Sequence, residues 1–481
     1  MKSKMSLKVA LMFSAAGEYS AQIIGFVSII ILARLLTPTE IGIYAIAVTA
    51  LILTAELRAF GVVQYLVREK DINENKNRAV LGTAIVVSWG LAFLLILSSS
   101  YIAAFYDVPE IRDILWILSI SFFLEPFISV PFALWKRELQ FDRIAIMNVG
   151  GALADSISSI SLVLFGFSYY GLAIGAAIGT IARLLIALFF QPAGTVWIPK
   201  FTLLGSLFKF GFFTSFANVF VRINQSIPDL VIGKVATMGD VGFFSRGFGA
   251  VLFLHKILYS AVAPVVLPHY AEVKRSGGSV VEAYLRSTKL VSVFTLPALA
   301  VASASSYPMI IGFFGDQWGA AVPIASILAV GVMLTSVHSF SASAYIVSGH
   351  EKWMFNVALI VSVFRLVLVL FAAPRGIEMV AWAVVVSGAI ELLVNTVALK
   401  KNIGLQANKL VIALLPSLFI TTMCWLATVS IDHIIVFKQT NPLQSLVLVA
   451  VSLTIIWFLL LRVTKHEAWY LIWDVLGKKK G

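Results

Sequence analysis

Charge, cysteine and nucleotide-binding motifs are scarce in this sequence. Only 12% of its 481 residues are Asp, Glu, Lys or Arg, about half the share in a soluble globular domain, which excludes a water-soluble enzyme and a disordered scaffold. The one cysteine, Cys424, stands in an apolar run, so no disulfide or thiolate metal site can form within the chain. No Gly-x-x-x-x-Gly-Lys-Ser/Thr phosphate loop occurs, which excludes P-loop ATP hydrolysis. The six histidines (His255, His269, His338, His350, His433, His466) show no metal-ligand spacing such as His-Glu-x-x-His. No cofactor, catalytic constellation or metal site is expected.

What the chain has is apolar length: 60% of its residues are hydrophobic and the mean hydropathy is +0.95. Apolar segments run near 9–33, 40–65, 79–104, 113–135, 144–167, 170–190 and 205–235. They continue near 241–267, 289–314, 320–347, 353–373, 377–399, 409–430 and 443–461. At roughly 20 to 22 residues per span, fourteen spans take about 300 residues and leave no large domain outside the membrane. A bilayer admits only helices and closed barrels, and runs this continuous are not the alternating strands of a barrel. The expected fold is an all-α polytopic membrane protein with 14 transmembrane helices. The opening residues resemble a signal peptide, but the apolar register passes Glu18 and Gln22 to reach Leu36, too long for a removable segment.

Charge placement sets an expected orientation. With the N-terminus in the cytoplasm, 25 of the 36 Lys and Arg residues fall in cytoplasmic segments and five in external loops (Arg34, Arg112, Lys234, Arg375, Lys438). That asymmetry follows the positive-inside rule and puts both termini in the cytoplasm.

An offset of 200 residues aligns the first hairpin with spans 7 and 8. Ile30–Tyr44 sits over Leu230–Phe244, matching Arg34 with Lys234, Thr37 with Thr237, Glu40 with Asp240 and Gly42 with Gly242. Further on, an offset of 208 pairs Asn148-Val149 with Asn356-Val357. The reading is two parallel six-helix lobes, spans 1–6 over residues 1–190 and spans 7–12 over 205–402. A Pro/Gly-punctuated connector covers 191–204, and two appended helices with a cytoplasmic tail cover 403–481. Parallel repeats suit a transporter that rocks around a central site.

Twelve ionisable residues fall inside spans: Glu18, Glu56, Arg58, Glu125, Asp155, Arg183, Arg222, Asp229, Arg246, Lys256, Arg365 and Glu391. At roughly 3 kcal/mol for each lipid-facing charge, they must pair, snorkel or line a wet cavity. Arg58 and Arg246 lie within reach of an interface. Span 7 carries Asn218, Arg222, Gln225 and Asp229 on one helix face, and span 1 carries Ser14, Glu18 and Gln22 at fourfold spacing. Ser387, Glu391 and Asn395 repeat that spacing on span 12, and Asn148 and Asp155 share a face of span 5. Interhelical hydrogen bonding explains an isolated Asn or Ser; stripes on repeat-equivalent helices point to a cavity. Cations there (Arg222, Arg246, Lys256, Arg365) suit a polyanion such as a diphosphate, with Asn218, Gln225 and Gln22 as polar lining. The carboxylates Glu18, Glu56, Asp155, Asp229 and Glu391 are candidates to take up a coupling proton or sodium ion. Glu56 with Lys256, and Arg183 with Glu391, hold repeat-equivalent positions with opposite charge.

Leu32–Ala47 (LARLLTPTEIGIYAIA), Val130–Ala145 (VPFALWKRELQFDRIA), Ala263–Val273 (APVVLPHYAEV) and Phe313–Leu334 (FFGDQWGAAVPIASILAVGVML) carry a family likeness. In order and spacing the chain resembles Wzx-type polysaccharide flippases of the multidrug/oligosaccharidyl-lipid/polysaccharide exporter superfamily, nearest the colanic-acid-exporter type. The resemblance covers roughly residues 6–400. It implies a two-lobed bundle around a V-shaped cavity in a bacterial inner membrane. It implies flipping of an undecaprenyl-diphosphate-linked oligosaccharide to the periplasmic leaflet for surface-polysaccharide assembly, driven by an ion gradient. Cationic cavity residues would hold the head group, a role that passes here to Arg222, Lys256 and Arg365. Polymerase or chain-length proteins of the same pathway are possible partners; nucleic acid is not.

Two other classes compete. A drug exporter of the same superfamily shares the fold but has less need of cavity cations. A membrane polysaccharide polymerase or ligase needs a long external loop, and none here exceeds about twenty residues. The basic segment His269 to Lys289 is expected as an amphipathic connector on the inner leaflet, and Asp107-Val108-Pro109-Glu110 as an external turn.

Overall fold

A computed structural model describes residues 7–58, 62–69, 72–202 and 204–477, with side chains described except at 7–11, 62, 64, 68, 204–218 and 475–477. Among the described residues the secondary structure is helical, without a strand. Helices satisfy their own backbone groups, which a bilayer requires. Contacts gather the chain into two compact units, Met1–Gly242 and Phe243–Gly481. Packing units and sequence repeats are different quantities, and the first unit runs past the connector at 191–204.

The first unit contains α1 (Leu7–Leu35), α2 (Pro38–Arg58), α3 (Val62–Arg68), α4 (Glu74–Tyr106), α5 (Glu110–Arg137), α6 (Phe141–Leu162), α7 (Ser168–Phe189) and α8 (Leu204–Val235). Helix α6 packs along α7 and α1, α4 along α5, and α2 along α8. Gly175 and Gly179 set the α6–α7 approach: a Cβ on Gly179 would lie 2.7 Å from Cβ of Asp155. Small residues four apart let membrane helices come this close.

The second unit begins at Phe243, inside α9 (Met238–Ser260). It comprises α10 (Ala263–Arg275), α11 (Val280–Ala304), α12 (Ser306–Phe314), α13 (Ala321–Ser336), α14 (Ser341–Ser348), α15 (Lys352–Ala372) and α16 (Ile377–Ile403), then α17 (Ala407–Ile435), α18 (Pro442–Val463) and α19 (Glu467–Gly477). Helix α11 lies against α13 and α17, and α16 against α13 and α15.

Among the described residues twelve stretches are long and apolar enough to cross a membrane, and one of them, Phe141–Phe189, holds both α6 and α7. Several expected spans are broken. The segment 241–267 ends its first helix at Ser260, and Pro264 opens α10 where a missing N–H is harmless. The segment 289–314 breaks at Ser305, and 320–347 breaks between Ser336 and Ser341. The basic segment at 269–289 is not one amphipathic helix. It is the end of α10, a turn through Gly277 and Gly278, and the start of α11, whose N-cap Ser279 accepts the Glu282 N–H at 3.3 Å. Hydropathy does not register such breaks, because a turn with locally bonded backbone groups stays apolar.

The aligned hairpin turns carry the same cap. Glu40 accepts the Thr37 N–H and hydroxyl at 2.7 and 2.8 Å, and the Thr37 hydroxyl accepts the Glu40 N–H at 3.3 Å. Asp240 and Thr237 repeat these bonds at 3.1, 2.7 and 3.1 Å. Each is a capping box at a helix start. Ser168, at the start of α7, adds a hydroxyl bond to Glu40.

Candidate functional site

The polar face of α8 meets the end of α2. Arg222 Nε donates to Glu56 Oε1 at 2.8 Å, and its Nη1 points to Gln225 Oε1 at 3.4 Å. These two side chains come from positions 166 residues apart, joined by the α2–α8 packing. Arg222 remains 49% exposed and Glu56 20%. Two residues along α2, Arg58 turns toward α5: it pairs with Glu125 at 3.7 Å and lies 4.9 Å from the Phe122 ring centre. The stripe thus presents one accessible guanidinium, partly neutralised, beside a second pair turned away from it.

One turn beyond Gln225, Asp229 lies on the same helix, half-buried, and its Oδ1 has no hydrogen-bond partner. Nearer the end of α8, Tyr106 donates to the Leu230 carbonyl at 3.3 Å, and Lys234 pairs with Asp107 at 3.1 Å while covering the Phe105 ring. The side chain of Asn218 lies outside the described residues.

The span-1 stripe faces a smaller cavity of about 210 Å³, lined by Ser14, Glu18, Lys136 and Asn148 with Phe132 and Phe141. Gln22 donates to Glu18 at 3.0 Å. Deeper in the same unit, the Ser159 hydroxyl donates to Asp155 at 3.1 Å, and Arg183 acts on that carboxylate electrostatically.

In the second unit the predicted residues separate by environment. Arg365 is 5% exposed: its Nε donates to Ser387 at 2.8 Å and its Nη2 lies 3.8 Å from Glu391. Asn395 donates to the Glu391 carbonyl at 3.2 Å and accepts the Tyr345 hydroxyl of α14 at 3.4 Å, so the span-12 stripe is engaged with α15 and α14. A buried, bonded guanidinium of this kind joins two helices. Lys256 is exposed on α9, and Arg246 stacks 5.9 Å from the Trp318 ring. Glu56 pairs with Arg222, Glu391 with Arg365 and Glu125 with Arg58. Partner choice therefore follows local helix packing within each unit.

Three features escaped the sequence reading. His338 bridges Tyr284 (2.6 Å) and Thr396 (2.8 Å) inside the second unit. Arg286 pairs with Glu467, joining α11 to α19. A cavity of about 1020 Å³ lies between the start of α4, the end of α5 and the connector, where buried Asn77 donates to the Gly194 carbonyl at 2.8 Å. All three join segments far apart in sequence, so spacing carried no signal of them.

A family model described as polysaccharide biosynthesis protein matches residues 31–323, more than half of the chain. The succinoglycan biosynthesis transport protein ExoT of Rhizobium meliloti (strain 1021) is 24% identical over 307 residues, 63% of this chain and 62% of that protein. The teichuronic acid biosynthesis protein TuaB of Bacillus subtilis (strain 168) is 23% identical over 349 residues, 69% of each. The lipopolysaccharide biosynthesis protein WzxC of Escherichia coli (strain K12) is 20% identical over 321 residues, 65% of this chain and 64% of that one. The matches thus span 62% to 69% of these relatives' own lengths. Among solved structures, the lipid II flippase MurJ in an inward closed conformation aligns over 97% of this chain and 99% of its own, with TM-score 0.74 and 16% identity. An inward-facing multidrug resistance MATE transporter aligns over 84% and 96%, with TM-score 0.58 and 14% identity. At these identities the likeness is one of fold.

Proposed function

The chain belongs to the polysaccharide biosynthesis protein family and has the MurJ/MATE-like fold, and from that premise we propose that it is a Wzx-type transporter that flips a polyprenyl-diphosphate-linked oligosaccharide from the cytoplasmic to the periplasmic leaflet. The observation that carries this reading is Arg222. It is a half-exposed guanidinium on the polar face of the long helix α8, beside Gln225 and opposed by one carboxylate. Guanidinium forks bind phosphate oxygens in pairs, and in a low-dielectric passage such a cation selects polyanions over cationic drugs. Lys256, exposed on α9, is a separate candidate and is tested by itself.

The proposal takes fourteen spans in a bacterial inner membrane, with both termini cytoplasmic and two parallel lobes at 1–190 and 205–402. Transport is by alternating access and coupled to an ion gradient, with Asp229 as the coupling carboxylate because its Oδ1 is unpartnered. The product enters surface-polysaccharide assembly, where a polymerase receives it.

The test is leaflet-resolved movement of undecaprenyl-diphosphate-linked oligosaccharide in proteoliposomes, comparing wild type with Arg222→Ala and Lys256→Ala. Transport in wild type and its loss in Arg222→Ala, with fold intact, is expected. Transport indifferent to both substitutions would remove the head-group site. No transport under an imposed ion gradient would remove the flippase reading.

A further inference from the structure

We propose that Glu56 is a built-in competitor for the anion site: its carboxylate holds Arg222 when the site is empty, yields to the diphosphate, and returns as the substrate departs. The inference rests on the head-group role of Arg222 and adds to it a residue whose work is release.

The geometry of the pair suits exchange. Its hydrogen bond is a single contact, Arg222 Nε to Glu56 Oε1 at 2.8 Å, whereas a diphosphate offers oxygens for two-pronged contact. Arg222 is the more exposed partner, 49% against 20%, so an anion can reach the guanidinium while Glu56 is still bound. The other intramembrane pairs differ. Arg365 is enclosed and also bonded to Ser387, and Arg58 is covered by Phe122.

Among the described residues, the neighbouring charges leave Glu56 to Arg222. On α5, Glu125 is occupied by Arg58. On α4 the charged residues are Glu74, Lys76 and Arg78 near its start; Lys76 pairs with Glu69 and Arg78 with Glu74. On α7, Arg183 acts on Asp155 of α6. Glu56 and Arg222 therefore open and close largely as a unit, without rearranging a wider network.

Competition has a defined consequence. An internal carboxylate raises the apparent Kd of any anion by the factor with which the pair favours closure, about fivefold for a partly exposed ion pair. Weaker ground-state binding is useful to a transporter, because a head group held too tightly is not released. A site with Arg222 alone would bind better and turn over more slowly.

The experiment uses the full chain: equilibrium binding of undecaprenyl diphosphate in nanodiscs, and flipping of the same lipid in proteoliposomes. Wild type is compared with Glu56→Gln, Glu56→Asp and Arg222→Gln. Glu56→Gln is expected to bind about fivefold more tightly and to flip more slowly at saturating lipid, with Glu56→Asp between it and wild type. Equal or weaker binding by a folded Glu56→Gln overturns the proposal. If Glu56→Gln does not fold, Glu56→Asp decides: tighter binding with slower flipping supports the competitor, and unchanged or weaker binding overturns it. Arg222→Gln reports separately, because undiminished binding there sinks the head-group site itself.

Discussion

Gly42 and Gly242, which the 200-residue offset aligns, meet in a reciprocal contact. A Cβ on Gly42 would strike the carbonyl oxygen of Met238, and a Cβ on Gly242 would strike that of Pro38. Each glycine is thus capped by the residue four positions before the other, with Gly242 N 3.1 Å from the Cβ position of Gly42. Two capping-box turns, at Thr37–Glu40 and Thr237–Asp240, hold the helix starts at this crossing. The sequence alignment that paired these glycines therefore describes a physical contact as well as a common pattern.

Gly42→Ala and Gly242→Ala are each expected to force this crossing apart. Backbone carbonyls yield less than side chains, so each substitution costs about 1–3 kcal/mol. Thermal unfolding of the detergent-solubilised protein measures it. Gly25→Ala, where a Cβ meets nothing within 4 Å, is the control and leaves the midpoint unchanged.

Removing one member of the Arg365–Glu391 pair strands the other in a poorly hydrated place. Arg365→Leu is expected to destabilise by about 3–5 kcal/mol. The double substitution Arg365→Met with Glu391→Leu recovers most of that loss, because no uncompensated charge remains. A double mutant as unstable as Arg365→Leu would show that shape rather than charge governs the site.

Asp229→Asn keeps the size of the side chain and removes its ability to exchange a proton or bind a cation as a carboxylate. Under the coupling role proposed for it, transport in proteoliposomes no longer responds to an imposed ion gradient, while binding of undecaprenyl diphosphate stays within about twofold, an effect below 0.5 kcal/mol. Gradient-dependent transport that survives in Asp229→Asn assigns the coupling elsewhere.

The junction between α18 and α19 carries a pH dependence. His466 is buried, its Nδ1 accepts the Ala468 N–H at 3.2 Å, and burial, aided by the charge of Lys289 and opposed by Glu467, holds its imidazole below the ordinary histidine value. The folded junction therefore binds fewer protons than the unfolded one. Its stability is full above the ordinary pKa of about 6.5 and falls as pH drops from there through the lowered folded value. Hydrogen exchange of the α19 amides, compared at neutral and acidic pH, is expected to show faster opening in acid. The same rate at both pH values would deny His466 this part.

The class of molecule was legible from composition, because hydropathy sums along the chain and a bilayer leaves an apolar backbone little choice but helix. The matching caps of the two aligned turns were open to reading for a similar reason: Thr37 with Glu40 and Thr237 with Asp240 act within one turn, so their spacing carries their geometry. The division of labour among the arginines was not legible. Arg222 and Arg365 look alike in a hydropathy window, yet one is half-exposed opposite Glu56 and the other is buried against Ser387 and Glu391. The helix breaks after Ser260 and at Ser305 also lay hidden in apolar runs. A side chain's partner depends on the rotation of its helix and on which helix packs against it. At about 100° per residue, small shifts in register exchange one neighbour for another, and only the packed tertiary structure decides which cation meets which carboxylate.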